Sequence, residues 1–243
     1  MSLLSVVVDA AGEVGAPAPN VVAGSLDQTI ITLFRMANKE GRRLRDHPHP
    51  RGGWSVLQRE HTFSTVASTA AYDLPSDFKK LLFETAWDRD AYWEMIGSLS
   101  PQEWQAVKSG LASSPALRKR YRIKRASSGS DRQFFIDPTP SSADSLVFEY
   151  LSDAWVRNAA DDTYTDGYAA DTDVSLLDEE IITQGVIWRF LASKGFAHAL
   201  QLAEYERARD TAIAQDAALP RLYLAPQRFS LGKGNVPESN FGS

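Results

Sequence analysis

Apolar and polar positions divide the chain into three stretches with different periods. Over residues 2–46 the apolar side chains recur every three or four positions, the spacing of an α-helix that buries one face. Leu4, Val7, Ala11 and Val14 mark a first helix, and Gly15 supplies its C-terminal stop. The β-branched run Val6-Val7-Val8 suits a strand equally well. Ala16-Pro17-Ala18-Pro19-Asn20 cannot be helical throughout and predicts a turn or an extended linker. A second helix follows. Ser25 and Gln28 have capping-box spacing, and Leu26, Ile30, Leu33, Ala37 and Leu44 share one face. Its end carries Arg42, Arg43 and Arg45, cations suited to the negative pole of a helix. His47-Pro48-His49-Pro50-Arg51-Gly52-Gly53 then breaks it.

Between residues 54 and 157 the period shortens towards two. Strands are predicted at 58–67, 81–87, 120–124, 133–136 and 146–151, and turn sequences such as Leu74-Pro75-Ser76-Asp77 and Asp137-Pro138-Thr139-Pro140 lie between them. One helix interrupts, with Ser100 as N-cap, Pro101 at its first position and Glu103 completing the box. The helical period returns after an acidic connector at 161–173. Ser175 with Asp178 resembles a start signal, and Leu177, Ile181, Trp188 and Leu191 form a stripe that Ile182, Val186 and Phe190 widen. Gly195 allows a reversal into a helix at 196–218 with Leu202, Tyr205, Ala208 and Ala212 on one face, ended by Pro220. Residues 219–243 hold three prolines and three glycines without periodicity, which predicts an extended tail. The expected fold is α+β: a four-helix bundle from residues 1–50 and 158–218, a small antiparallel β domain inserted at 54–157, and the extended C-terminal tail 219–243.

Composition narrows the function. With 43% hydrophobic and 23% charged residues the chain has the make-up of a folded globular protein. No apolar run approaches the roughly 18 to 20 residues of a membrane-spanning helix, so no membrane partner is expected. The N-terminus has no basic stretch and reaches Asp9 too early for a signal peptide. Without cysteine there are no disulfides, thiolate chemistry or Cys-ligated metals. A net charge of -5 argues against a protein that coats DNA.

Candidate chemistry is sparse. Asp162 to Asp173 brushes the calcium-loop pattern, with Gly167 at its sixth position, but Tyr164 at the third and a short Asp at the twelfth favour a solvated connector. Eight carboxylates and no Lys or Arg lie between Arg157 and Arg189, a block that repels phosphate. His47, His49 and His61 match no familiar ligand spacing, and His198 sits where a helix residue packs. Two basic clusters, at 35–51 and 118–125, would suit nucleic acid, with Tyr121 placed to stack, or else meet acidic neighbours at a helix end and on a strand face. The six tryptophans are dispersed within apolar patterns and read as core rather than as a sugar site. No phosphate loop, nucleophile elbow or HExxH appears, so no catalytic residue, metal or cofactor is assigned.

The chain resembles the head-to-tail adaptor proteins of tailed bacteriophages, including the tail tubular A type. Four features carry the likeness: Glu13-Val14-Gly15 before a Pro-containing linker, Leu26-Asp27-Gln28 and Ala37-Asn38-Lys39-Glu40-Gly41; Tyr72-Asp73-Leu74-Pro75-Ser76-Asp77-Phe78; Leu99-Ser100-Pro101-Gln102-Glu103-Trp104 with Phe148-Glu149-Tyr150; and Ile187-Trp188-Arg189 with Lys194-Gly195. The likeness spans residues 1 to about 230. It implies a structural protein of the virion at the head–tail interface, made in the host cytoplasm, in a ring of commonly twelve copies beneath the portal. Its partners would be the portal protein, a tail or nozzle protein and further copies of itself, with DNA passing through without specific binding. Within that picture the tail residues Arg221, Leu222, Tyr223, Phe229 and Phe241 are expected to bind the portal, unless the tail is a plain unstructured terminus. Asp161, Asp162, Asp166, Asp171 and Asp173 are expected to face solvent, towards the channel or a neighbouring subunit. The competing readings are a nucleic-acid-binding regulatory module built on the basic clusters and a carbohydrate-active enzyme.

Overall fold

In a computed structural model, residues 2–109, 118–126 and 131–216 are described. The first helix, α1 (Leu3–Glu13), starts at Ser2 in a reciprocal capping box with Ser5 and buries Leu3, Val6, Val7, Ala10 and Ala11. The second, α2 (Gln28–Asp46), is capped by Asp27, whose carboxylate accepts the Thr29 and Ile30 N–H groups. That start lies two residues beyond the expected Ser25, and Leu26 is therefore not on the helix's apolar face but 95% exposed ahead of it.

The middle of the chain forms antiparallel sheets. Strand β1 (Gln58–Ser64) pairs along its whole length with β8 (Ser145–Ser152), and β8 also pairs with β3 (Phe78–Leu81) and β4 (Trp87–Asp88), the latter joined to β5 (Trp93–Glu94). A second sheet sets β7 (Arg132–Asp137) between β2 (Ala71–Asp73) and β6 (Arg120–Arg125). The strand expected at 81–87 is broken: Glu84 adopts φ 58°, which turns the chain between β3 and β4. Helix α3 (Pro101–Lys108) starts as predicted, with Ser100 and Glu103 closing the capping box. Where the two sheets meet, Tyr121, Phe134 and Phe148 stack face to face, with ring centroids 4.9 and 5.2 Å apart. Phe78, Met95, Ile136, Leu146 and Tyr150 complete that core.

Helix α4 (Glu179–Lys194) is the hub of the other core. It packs against α1, against α2 and against α5 (Ala199–Asp216). Its N-cap is Asp178, not the expected Ser175, and Gly195 ends it at φ 76°, the left-handed conformation glycine adopts without cost. Four of its residues, Ile181, Ile182, Val186 and Ile187, are almost wholly buried. Leu202, Tyr205, Ala208 and Ala212 of α5 reach the same core, as the stripe predicted. So do Trp54, Leu57, Leu151, Trp155 and Val156, which bind the sheet to the helices. Trp155 lies flat against Gly41 of α2, where a Cβ would fall 2.0 Å from the ring. That close approach is why α2 carries glycine mid-helix despite its cost.

Candidate functional site

The connector between sheet and α4 lies along the helices. It contributes three two-residue strands, β9 (Val156–Arg157), β10 (Tyr164–Thr165) and β11 (Val174–Ser175), with β9 between the others. Its carbonyls at Asp173 and Asp171 accept the Leu3 and Leu4 N–H groups, at 2.9 and 3.1 Å. Those are orphan donors of the first turn of α1, so the connector completes that helix end.

Burial then sorts the five aspartates. Asp161, Asp162 and Asp166 are exposed, Asp171 is half-buried and Asp173 is fully buried. Asp173 turns inward because its carboxylate accepts the Ala169 and Ala170 N–H groups, at 2.7 and 2.8 Å. Asp171 accepts from Val22 and Ala23 and so holds the α1–α2 linker. The expectation that all five face solvent is corrected at these two positions: backbone N–H groups in tight turns recruit the carboxylates as acceptors. The carboxylates of the calcium-like pattern disperse, Asp162 to Arg157, Asp166 to Arg42 and Asp173 to the backbone.

Across from Thr165 to Ala169, α2 presents the other wall of a groove of about 1030 Å³. Arg35, Lys39, Arg42 and Arg43 stand on this wall, spaced so that they share the face of α2 turned away from its buried residues. Phe34 and Tyr168 supply apolar lining. Arg42 meets Asp166, with 3.3 Å between their charged atoms. Among the described residues no carboxylate pairs with Arg35, Lys39 or Arg43. The sequence expectation that this cluster meets acidic neighbours therefore holds for Arg42 and for Arg45, which pairs with Asp46, and stops there.

On the inner side of α2 sits a charge that the sequence pattern did not single out. Glu40 is fully buried, accepting from Arg189 Nε of α4 and from the Tyr205 hydroxyl of α5. Burial pushes the Tyr205 phenol up, and donation to Glu40 pushes it further. Gly185 makes room, since a Cβ there would lie 2.5 Å from Glu40 Cγ. Opposite charges on two separately read helices gave no local signal that they meet.

Several cations of the second basic cluster are engaged within the fold. Lys119 pairs with Asp88 and, at 2.8 Å, with Asp144; Arg118 and Lys124 lie over Trp93 and Phe135. Tyr121, the candidate stacking residue, is 1% exposed in the sheet core. His61 packs on Phe63 and Phe148, and burial lowers its pKa. His49 lies beside Asp216, and His198 stacks on Trp188. Among the described residues the most exposed large apolar side chains besides Leu26 are Tyr92 and Phe83, at 84% and 80%, both on tight turns with a residue at positive φ. The anchors Arg221, Leu222, Tyr223, Phe229 and Phe241 lie outside the described residues.

Among the described residues the surfaces that stand out are the charged groove along α2 and the protruding apolar turns at Phe83 and Tyr92. A comparison with curated proteins finds no match. The sequence pattern of the SU10 adaptor protein family matches residues 1–229, so the chain belongs to that family and is a bacteriophage head-to-tail adaptor, a structural protein of the virion.

Proposed function

We propose that this chain closes into a ring of identical subunits, twelve in number, beneath the portal, where it joins the capsid to the tail or nozzle protein and surrounds the passing DNA. The observation that carries this reading is the family match across residues 1–229. Exposed carboxylates on the connector support it physically, Asp161 without an arginine partner among the described residues and Asp162 and Asp166 beside Arg157 and Arg42, because negative charge beside a DNA path repels phosphate and keeps the duplex moving. Asp171 and Asp173 act within the subunit and take no part in that lining. The tail residues Arg221, Leu222, Tyr223, Phe229 and Phe241 form the portal-binding element, with aromatic anchors and cations suited to an acidic, pocketed surface. The chain works by holding surfaces together and carries no catalytic role; it is made in the host cytoplasm and acts in the virion.

Size-exclusion chromatography of the chain mixed with the portal of the same phage, followed by negative-stain imaging, tests this directly. A co-migrating complex with a second ring on the portal is the expected result. Separate elution at micromolar concentration in dilute buffer overturns the reading.

A further inference from the structure

Two oppositely charged surfaces lie on different helices of the same core, one on α2 and one between α4 and α5. On α2 the buried residues Ala37, Glu40, Gly41 and Leu44 face the core, where Glu40 meets α4 and α5. Arg35, Lys39 and Arg43 stand on the reverse face, exposed and without a carboxylate partner among the described residues. Between the start of α4 and the end of α5 runs a second groove of about 360 Å³, whose rim carries Asp178, Glu180 and Glu204 against the single cation Arg207. Its floor is apolar, from Ile181, Ala208 and Ala212. None of its three carboxylates pairs with a cation among the described residues. Asp178 caps α4 and Glu180 accepts only from Gln184 at 3.3 Å, while Glu204 has no polar partner there.

Each surface thus has the charge the other lacks, and each has apolar lining beside the charges. We infer that the α2 row of one subunit docks on the Asp178–Glu180–Glu204 rim of the next copy of this chain. The inference rests on the ring reading above and names its interface. A contact between two different faces is heterologous and does not stop at a dimer; where its rotation closes, the product is a ring. Opposed charges fix the direction of travel around the ring and disfavour two like faces meeting. A nucleic-acid backbone is the weaker occupant of the α2 groove. The opposite wall carries Asp166, and Phe34 and Tyr168 give phosphates nothing to bind.

The chain has no cysteine, so introduced pairs report contacts cleanly. Mixing full-length Lys39→Cys with full-length Glu204→Cys under mild oxidation should give a covalent heterodimer, and neither variant alone should give one. Lys39→Glu/Arg43→Glu should lower ring occupancy on the portal at least tenfold, and Glu180→Lys/Glu204→Lys in the same chain should restore it. Cross-linking within the Lys39→Cys sample alone would mean a two-fold contact and overturn the inference. A wild-type ring on the portal without the cross-link, or without a charge effect, sinks the inference but leaves the ring reading standing. Absence of any wild-type ring sinks the ring reading and the inference with it. Binding of a 20-base-pair duplex that is lost in Lys39→Glu/Arg43→Glu would make the row a nucleic-acid surface instead.

Discussion

Asp77 shows how one side chain of the Leu74-Pro75-Ser76-Asp77-Phe78 segment joins several elements. Its carboxylate accepts from the Tyr150 hydroxyl at 2.9 Å and the Ser152 hydroxyl at 2.6 Å, both on β8, and from Arg59 of β1 at 2.9 Å. Phe78 beside it stacks on Tyr150 with centroids 5.6 Å apart. Burial alone would raise the Asp77 carboxyl, but the hydrogen bonds from Ser152, Tyr150 and Arg59 outweigh it and hold it below its usual range. A carboxyl depressed in the folded state adds stability that is present above its unfolded value, about 3.9, and is lost as pH falls through the folded value. Asp77→Asn should therefore cost about 2 kcal/mol in urea unfolding at pH 7, the order expected for losing charge-assisted hydrogen bonds. The gap between variant and wild type should narrow once pH drops below the folded value. A gap as wide at pH 2 as at pH 7 would assign the cost to shape instead of charge.

At the scale of elements the connector makes the sharpest contrast, because neighbouring aspartates there do opposite things. Asp173→Ala leaves the Ala169 and Ala170 N–H groups, on a partly exposed turn, without their buried carboxylate acceptor. Hydrogen bonds to a charged acceptor are worth about 1.5–3 kcal/mol each, so the variant should unfold at clearly lower urea than wild type. Asp161→Asn, on an exposed turn, should leave the midpoint where it is. Equal midpoints for both variants would mean that the connector does not hold α1 in solution. This pair also shows what a sequence discloses and what it hides. The Ser100-Pro101-Gln102-Glu103 start of α3 was legible because every signal in it is local. The stripe on α5 was legible because its period runs over several turns. Two-residue strands such as β10 and β11 are too short to show a period, so the connector read as a solvated link. At the start of α2 the capping-box spacing pointed to Ser25; Asp27 caps instead, because its carboxylate reaches the Thr29 and Ile30 N–H groups. The cations of the candidate groove were visible as a cluster. Which of them stay unpaired depends on where Asp166 falls, over a hundred residues away, and no local pattern encodes that.

For the whole molecule the question is which part of the chain meets the portal. Helix α5 ends at Asp216 beside the sheet junction, where its carboxylate accepts the Ser55 N–H at 2.9 Å and also meets the Ser55 hydroxyl and His49. Removing residues 221–243 leaves in place the core residues described on α1 to α5 and on the sheets. The removed segment carries Arg221, Arg228 and Lys233 against Glu238 alone, opposite in sign to the chain's net charge of -5. It also carries Tyr223, Phe229 and Phe241, the side-chain type that anchors interfaces. If fully extended at about 3.3 Å per residue, a segment of this length would reach roughly 75 Å. The truncated chain should give an unchanged circular dichroism spectrum and thermal midpoint, yet fail to co-migrate with the portal. Tyr223→Ala/Phe229→Ala in the full chain should weaken portal binding by tenfold or more, since each aromatic anchor is worth about 1–2 kcal/mol or above. Unchanged portal affinity after truncation would move the docking element onto the folded body, where the protruding Phe83 and Tyr92 turns are the next surfaces to test.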